Sequence, residues 1–211
     1  MPDLATRFNR WRYSLYAPFY DGLARVFAPQ RRRALQLLAP RPDAPLLLVG
    51  AGTGLDLEFI PRACKVHAVD ISPAMIDRLR ARARRLGQPV EAEVMDVQAL
   101  RFADNGFDTA ALHLILAVVP DPVACLREVE RVLRPGGRAI VFDKFLQKNR
   151  RAGLLRASAN LVTRLIATDI NRRLPDIVAQ TGLHLVHEEA AGLNGFFRIA
   201  LLEKPAARDR A

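Results

Sequence analysis

Four consecutive apolar residues, Leu46 to Val49, run directly into Gly50-Ala51-Gly52-Thr53-Gly54. An apolar run without polar alternation suits a strand buried on both faces, and such strands belong to parallel sheets. Parallel neighbours need crossover connections, so strands and helices must then alternate along the chain. They do. Val66–Val69, Val90–Met95, part of Phe107–Val118 and Arg138–Phe142 read as further strands. Helices are expected near Leu55–Ile60, over Ser72–Leu86 and over Val123–Leu133, with a turn at Pro135-Gly136-Gly137. After a helix near Pro175–Thr181, two more strands, His184–Glu189 and Phe196–Glu203, are joined by a glycine-containing loop. The expected fold is α/β: a doubly wound, seven-stranded, mostly parallel sheet ending in an antiparallel hairpin. Ahead of it, Leu4, Phe8, Trp11 and Leu15 share one helical stripe, a second helix runs from Pro18 to about Leu38, and Pro40, Pro42 and Pro45 mark a linker. The chain therefore divides into an N-terminal helical cap, 1–40, and a core, 41–211, carrying an insertion around 145–172.

The turn after the first strand is where an open α/β sheet binds its ligand. Glycine lets the backbone approach a ligand closely and take up conformations closed to other residues. The dinucleotide pattern is G-x-G-x-x-G. Here the third glycine arrives one residue early and Leu55 stands in its place, which favours a smaller, nucleoside-type ligand. Asp70 ends the second strand, 20 residues after Gly50, where a carboxylate can accept hydrogen bonds from both ribose hydroxyls. Asp96 ends the third strand, placed to accept from an adenine amino group while the Val97 amide donates to the ring.

Taken together, GAGTG (50–54), VDIS (69–72), MDVQAL (95–100), FDTAALHLILAVVPDP (107–122) and RVLRPGGRAIV (131–141) resemble the class I S-adenosylmethionine-dependent methyltransferases, over roughly residues 41–145. The resemblance implies S-adenosylmethionine as cofactor. Its site would comprise Gly50, Ala51, Gly52 and Gly54 in the loop, then Asp70, Ile71 and Met75, then Asp96, Val97 and His113. The family usually carries an acid two residues before the first glycine, where this chain has Leu48. Asp56 or backbone carbonyls of the loop are the substitutes at hand for the methionine amino group. Tyr13–Asp21 is similar to the N-terminal segment of bacterial phosphatidylethanolamine N-methyltransferases and of ubiquinone/menaquinone C-methyltransferases. His113–Pro122 and Val141–Phe145 look more like the phospholipid enzymes, which tend to have Asn-His-Phe where this chain has Asp143-Lys144-Phe145.

Methyl transfer from a sulfonium is an in-line displacement, so the protein must align the partners and exclude water. An amine attacks only when neutral, which calls for a nearby proton acceptor. The catalytic candidates are Tyr16, Tyr20, His113 and Asp143. No metal is expected, since His67, His113, His184 and His187 are scattered. The leading expectation is N-methylation of a phospholipid amine, phosphatidylethanolamine. The alternative is C- or O-methylation of a quinone-like or other small hydrophobic acceptor.

The chain has 211 residues, 50% of them hydrophobic, and a formal net charge of +10. That composition excludes a disordered chain. Residues 1–40 carry seven arginines against two acids, and residues 144–173 carry eight basic side chains against one acid, so the excess is confined to two segments. Residues 4–16 and 144–173 are expected to face an anionic membrane surface. Nucleic acid is the less favoured partner, because these segments lack the interleaved aromatics of a single-strand platform. The longest apolar run, Ala110 to Pro120, is too short for a membrane span and the start of the chain lacks the apolar core of a secretory signal, so a cytoplasmic protein, peripheral on the inner membrane face, is expected. Cys64 and Cys125 read as reduced, buried thiols, and Arg78, Arg80, Arg82, Arg84 and Arg85 as a solvated helix face. A non-catalytic binding protein that keeps the fold is the least favoured alternative, and Leu48 is its best support.

Overall fold

The computed structural model describes residues 25–145, 172–192 and 196–206. The expected helix at 4–16, Tyr16, Tyr20 and nearly all of the insertion at 145–172 lie outside the described residues.

Helix α1, Ala28–Leu38, follows a short 3₁₀ turn at Arg25–Phe27 and leads to strand β1, Pro45–Val49. Next come β2 (Lys65–Asp70), α2 (Pro73–Leu86), β3 (Val90–Val94), β4 (Phe107–His113), α3 (Pro122–Val132) and β5 (Leu133–Lys144). Helix α4 (Leu174–Val178) and strands β6 (His184–Ala190) and β7 (Phe197–Glu203) complete the fold. The seven strands form one sheet in the order β3-β2-β1-β4-β5-β7-β6. The pairs β2–β3, β1–β2, β1–β4 and β4–β5 are parallel, while β7 is antiparallel to both β5 and β6. The expected fold class is thus the observed one. Chain direction along the sheet reverses between β1 and β4, which opens a crevice at their carboxyl ends.

Alternation along β1 shows how the layers form. Leu46 and Leu48 point to the face covered by α1 and α2, with Leu35, Leu38, Ile76 and Leu79. Leu47 and Val49 point to the opposite face, covered by α3 and α4, with Leu126, Val129, Leu174 and Ile177. Helix starts follow local chemistry. The Ser72 hydroxyl accepts from the Met75 amide ahead of Pro73, and Asp121 accepts from the Ala124 amide ahead of Pro122. Gly87, at φ 62°, ends α2.

The helix expected near Leu55–Ile60 is a five-residue 3₁₀ helix, Leu55–Phe59. Two expectations are corrected. Pro135-Gly136-Gly137 is not a free turn but lies inside β5, where Gly136 has φ 73° and its amide donates to the Lys204 carbonyl. Arg82 is buried at 3% exposure, while Arg78, Arg84 and Arg85 are exposed. It follows Ile76 and Leu79 at three-residue steps on the inward stripe of α2, and its Nη1 lies 3.6 Å from Glu58. Cys64 and Cys125 are free and buried, as read from the sequence.

Candidate functional site

All three glycines of the loop have positive φ: Gly50 66°, Gly52 54° and Gly54 77°. They serve different ends. A Cβ at Gly50 would stand 2.6 Å from the Ile115 side chain, so this glycine lets the segment after β4 close over the loop. A Cβ at Gly54 would stand 2.9 Å from Leu79 Cγ, so the third glycine seats the loop against α2. At Gly52 the amide donates to Asp70 Oδ2 at 2.9 Å.

Asp70 ends β2 and is 8% exposed. Its Oδ1 accepts from the Ser72 amide at 2.9 Å. Burial raises its pKa, against the pull of the Ser72, Gly52 and Ile71 amides. One carboxylate thus ties the glycine loop to the start of α2, with lone pairs left over on each oxygen. Asp96, just past β3, is half-buried and accepts through Oδ1 from the Gln98 amide (2.9 Å) and side chain (3.0 Å). Gln98 Oε1 in turn accepts from the Asp121 amide at 2.8 Å, joining Asp96 to the start of α3. Ile71 is half-buried, while Ala51, Met75 and Val97 are buried.

At the carboxyl end of β4, His113 is 4% exposed and its Nδ1 lies 2.7 Å from Asp56 Oδ1. Both oxygens of Asp56 also accept from Arg31 Nη1, each at 2.9 Å. Arg31 and Asp56 are each 4% exposed. Burial is the largest influence on Asp56 and would raise its pKa, but Arg31 and His113 together hold the carboxyl well below the usual range. The Phe142 ring meets His113 edge-on, with centroids 5.9 Å apart. The next residue, Leu114, has φ 60°, a left-handed backbone held by its amide donating to the Phe142 carbonyl at 2.7 Å.

Asp143 is fully buried. Its Oδ2 accepts from the Ala117 amide at 3.0 Å and its Oδ1 from the Lys144 amide at 2.8 Å. Burial raises its pKa against those bonds. The carboxylate thus helps to hold the loop after β4. Arg172 holds the same loop from the other side, bonding the Leu116 and Pro120 carbonyls. Leu48 is 1% exposed in the sheet core, and Asp56, a substitute for the missing acid at that position, is occupied by Arg31 and His113.

The structure therefore brings together the glycine loop, Asp70, Asp96 and His113 at adjacent strand ends. Sequence reasoning missed Arg31 altogether and did not pair Asp56 with His113. The available signal was Arg31 itself, which sits on the inward stripe of α1 with Ala34, Leu35 and Leu38. Among the described residues, no group of His, Cys, Asp and Glu could hold a metal ion.

The acceptor set can take hydroxyl and amino hydrogens of a nucleoside: two carboxylates with unspent lone pairs at neighbouring strand ends, beside glycines in conformations closed to other residues. A family profile described as a methyltransferase domain matches residues 47–141. A phosphatidylethanolamine N-methyltransferase from Cereibacter sphaeroides is 35% identical over 135 residues, 63% of this chain and 66% of that protein. A ubiquinone/menaquinone biosynthesis C-methyltransferase from a Ruegeria species is 37% identical over 111 residues, 50% of this chain and 44% of that protein. The chain thus spans less than two thirds of the length of these curated relatives. The crystal structure of the [4+2]-cyclase SpnF shares the fold, with a TM-score of 0.79 at 16% identity, covering 94% of this chain and 95% of that one. The chain belongs to the class I S-adenosylmethionine-dependent methyltransferases. The cofactor of that class is S-adenosylmethionine.

Proposed function

We propose that this protein transfers a methyl group from S-adenosylmethionine to a small hydrophobic or lipid acceptor, with the amine of phosphatidylethanolamine as the first candidate. The observation that carries the reading is the positive-φ glycine loop, Asp70 and Asp96 standing at the carboxyl ends of the neighbouring strands β1, β2 and β3. The phospholipid amine is supported by the 35% identical relative and by the basic segments 4–16 and 144–173. C-methylation of a quinone-like acceptor is the second reading, favoured by the 37% identical relative.

In this reading Asp70 takes the ribose hydroxyls, Asp96 the adenine amino group and the Val97 amide the ring. Gly50, Ala51, Gly52 and Gly54 shape the cradle, and Ile71 and Met75 flank it. With Leu48 apolar and Asp56 engaged, backbone carbonyls of the loop hold the methionine amino group. The cofactor supplies an electrophilic methyl on sulfur. The protein aligns the acceptor and keeps water out, tasks worth several kcal/mol when the geometry is fixed. His113 accepts the proton of the acceptor, Tyr16 and Tyr20 line its approach, and Asp143 fixes the loop that carries Ile115 and Leu116.

The test is a labelled methyl-transfer assay on total lipid and total RNA in parallel, followed by purified phosphatidylethanolamine and a quinone extract. Label in the phospholipid supports the first candidate, and label in the quinone fraction the second. Label in RNA alone would overturn both.

A further inference from the structure

His113 is held at one ring nitrogen and open at the other. Nδ1 meets Asp56 at 2.7 Å, whereas Nε2 is buried without a hydrogen-bond partner among the described residues. An ionised carboxylate only accepts, so the His113–Asp56 bond needs its proton on Nδ1. Asp56 is ionised because Arg31 Nη1 bridges both its oxygens at 2.9 Å. In the neutral ring with its proton on Nδ1, the bare lone pair is on Nε2. A buried acceptor of this kind is completed only when an N–H or O–H comes to it.

The backbone enforces the same placement. Leu114 takes a left-handed conformation directly after His113, fixed by the Phe142 carbonyl, and such a conformation persists only where its surroundings over-determine it. The three side chains come from α1, from the turn after the glycine loop and from the end of β4. The loop that would cradle the cofactor and the histidine that would meet the acceptor are therefore joined through one carboxylate.

Resting on the methyl-transfer reading above, we propose that Arg31 and Asp56 are positioning residues that lock His113 with Nδ1 protonated and Nε2 bare, and that the methyl acceptor is consequently a proton-bearing nucleophile, an amine or a hydroxyl, rather than a carbon without a donor. As the acceptor nitrogen or oxygen bonds to the methyl carbon and the carbon–sulfur bond breaks, the acceptor's proton passes to Nε2, and the sulfur leaves with the bonding electron pair as a neutral thioether.

The test uses the full chain labelled with ¹⁵N-histidine, free of cofactor and acceptor. Long-range proton–nitrogen correlation should show His113 with a protonated Nδ1 and an unprotonated Nε2. In an Arg31→Met/Asp56→Leu variant, which removes the buried charges together, the proton should redistribute to Nε2. Asp56→Asn, which keeps the shape, should lower kcat on the order of tenfold or more, while calorimetry gives an S-adenosylmethionine affinity within about twofold of the parent. A protonated Nε2 in the parent protein, an unchanged tautomer in the double variant, or an unchanged kcat in Asp56→Asn would each overturn the proposal. Absence of turnover by the parent protein on every acceptor, with the tautomer as stated, would instead overturn the methyl-transfer reading and leave the locked histidine standing.

Discussion

Arg31, Asp56 and His113 form a buried charged cluster, and such clusters answer differently to single and paired substitution. Removing one partner strands a charge at 4% exposure, whereas removing both replaces a desolvated pair by apolar packing. Asp56→Ala should therefore destabilise the protein by about 3–5 kcal/mol, while Arg31→Met/Asp56→Leu should lie within about 1 kcal/mol of the parent, read by urea denaturation. An additive double variant would contradict the coupling. The sign with pH follows from the depressed pKa of Asp56. Its stabilisation is complete above the carboxylate range of the unfolded chain, near 4, and is lost as pH falls toward the lower folded value. Compared with Asp56→Asn, the parent should lose stability more steeply below pH ~4, measured by thermal melts across that range. Positions are legible where the pattern is local: strand ends alone place Asp70 at the end of β2 and Asp96 just past β3. Arg31 and Asp56 were not paired with His113, because 25 residues separate the first two and 57 the second pair. No periodicity links them; only the fold does. That the Ala117 and Lys144 amides donate to Asp143 is likewise set by the fold and does not show in the sequence.

At the scale of elements, the strand and helix pattern was readable because period-2 and period-3.6 stripes are local properties of the chain. What escaped were places where tertiary contacts override propensity. Leu55–Phe59 tightens to 3₁₀, and β5 runs through Pro135-Gly136-Gly137 because Lys204 pairs with both glycines. The glycine loop shows the same division. Its glycines were read as a ligand cradle, yet two of them are also demanded by packing. Gly54→Ala would need φ 77° and would press a Cβ within 2.9 Å of Leu79 Cγ. The expected cost is about 2–4 kcal/mol, combining left-handed backbone strain with overpacking. Adding Leu79→Ala opens space but leaves the strain and a cavity, so the pair should stay destabilised, by less than the sum of the two single effects. Gly50→Ala, with its Cβ 2.6 Å from Ile115, should lose S-adenosylmethionine affinity at least tenfold by calorimetry, since Ile115 and the loop can no longer sit together. Equal affinity would show that this closure is unconnected to the cofactor.

For the whole molecule, the open question is where a net charge of +10 acts. Residues 1–40 sum to +5 and residues 144–173 to +7, so the remainder is close to neutral at −2. Within the described part, many arginines are already spent on the protein itself. Arg31, Arg33, Arg41, Arg131 and Arg198 each face a carboxylate of the fold within 3 Å. Arg78, Arg84 and Arg85 stay exposed, and the segments 4–16 and 144–173 hold most of the excess charge in the sequence. No helix among the described residues is long and apolar enough to cross a membrane. Each basic residue near an anionic leaflet contributes about 1 kcal/mol, so we expect any binding through these segments to depend on leaflet charge and on salt. The expected outcome is sedimentation with vesicles rich in phosphatidylserine, little with zwitterionic vesicles, and release as salt rises. The Debye length falls from about 10 Å at 0.1 M to about 3 Å at 1 M, which screens an interfacial contact but leaves buried pairs such as Arg31–Asp56 intact. Deleting residues 1–16 should weaken sedimentation while the core still melts cooperatively. If the truncated protein sediments as well as the parent, the N-terminal stripe is not a membrane contact. Binding to RNA with the same salt slope and none to vesicles would assign the charge to nucleic acid instead.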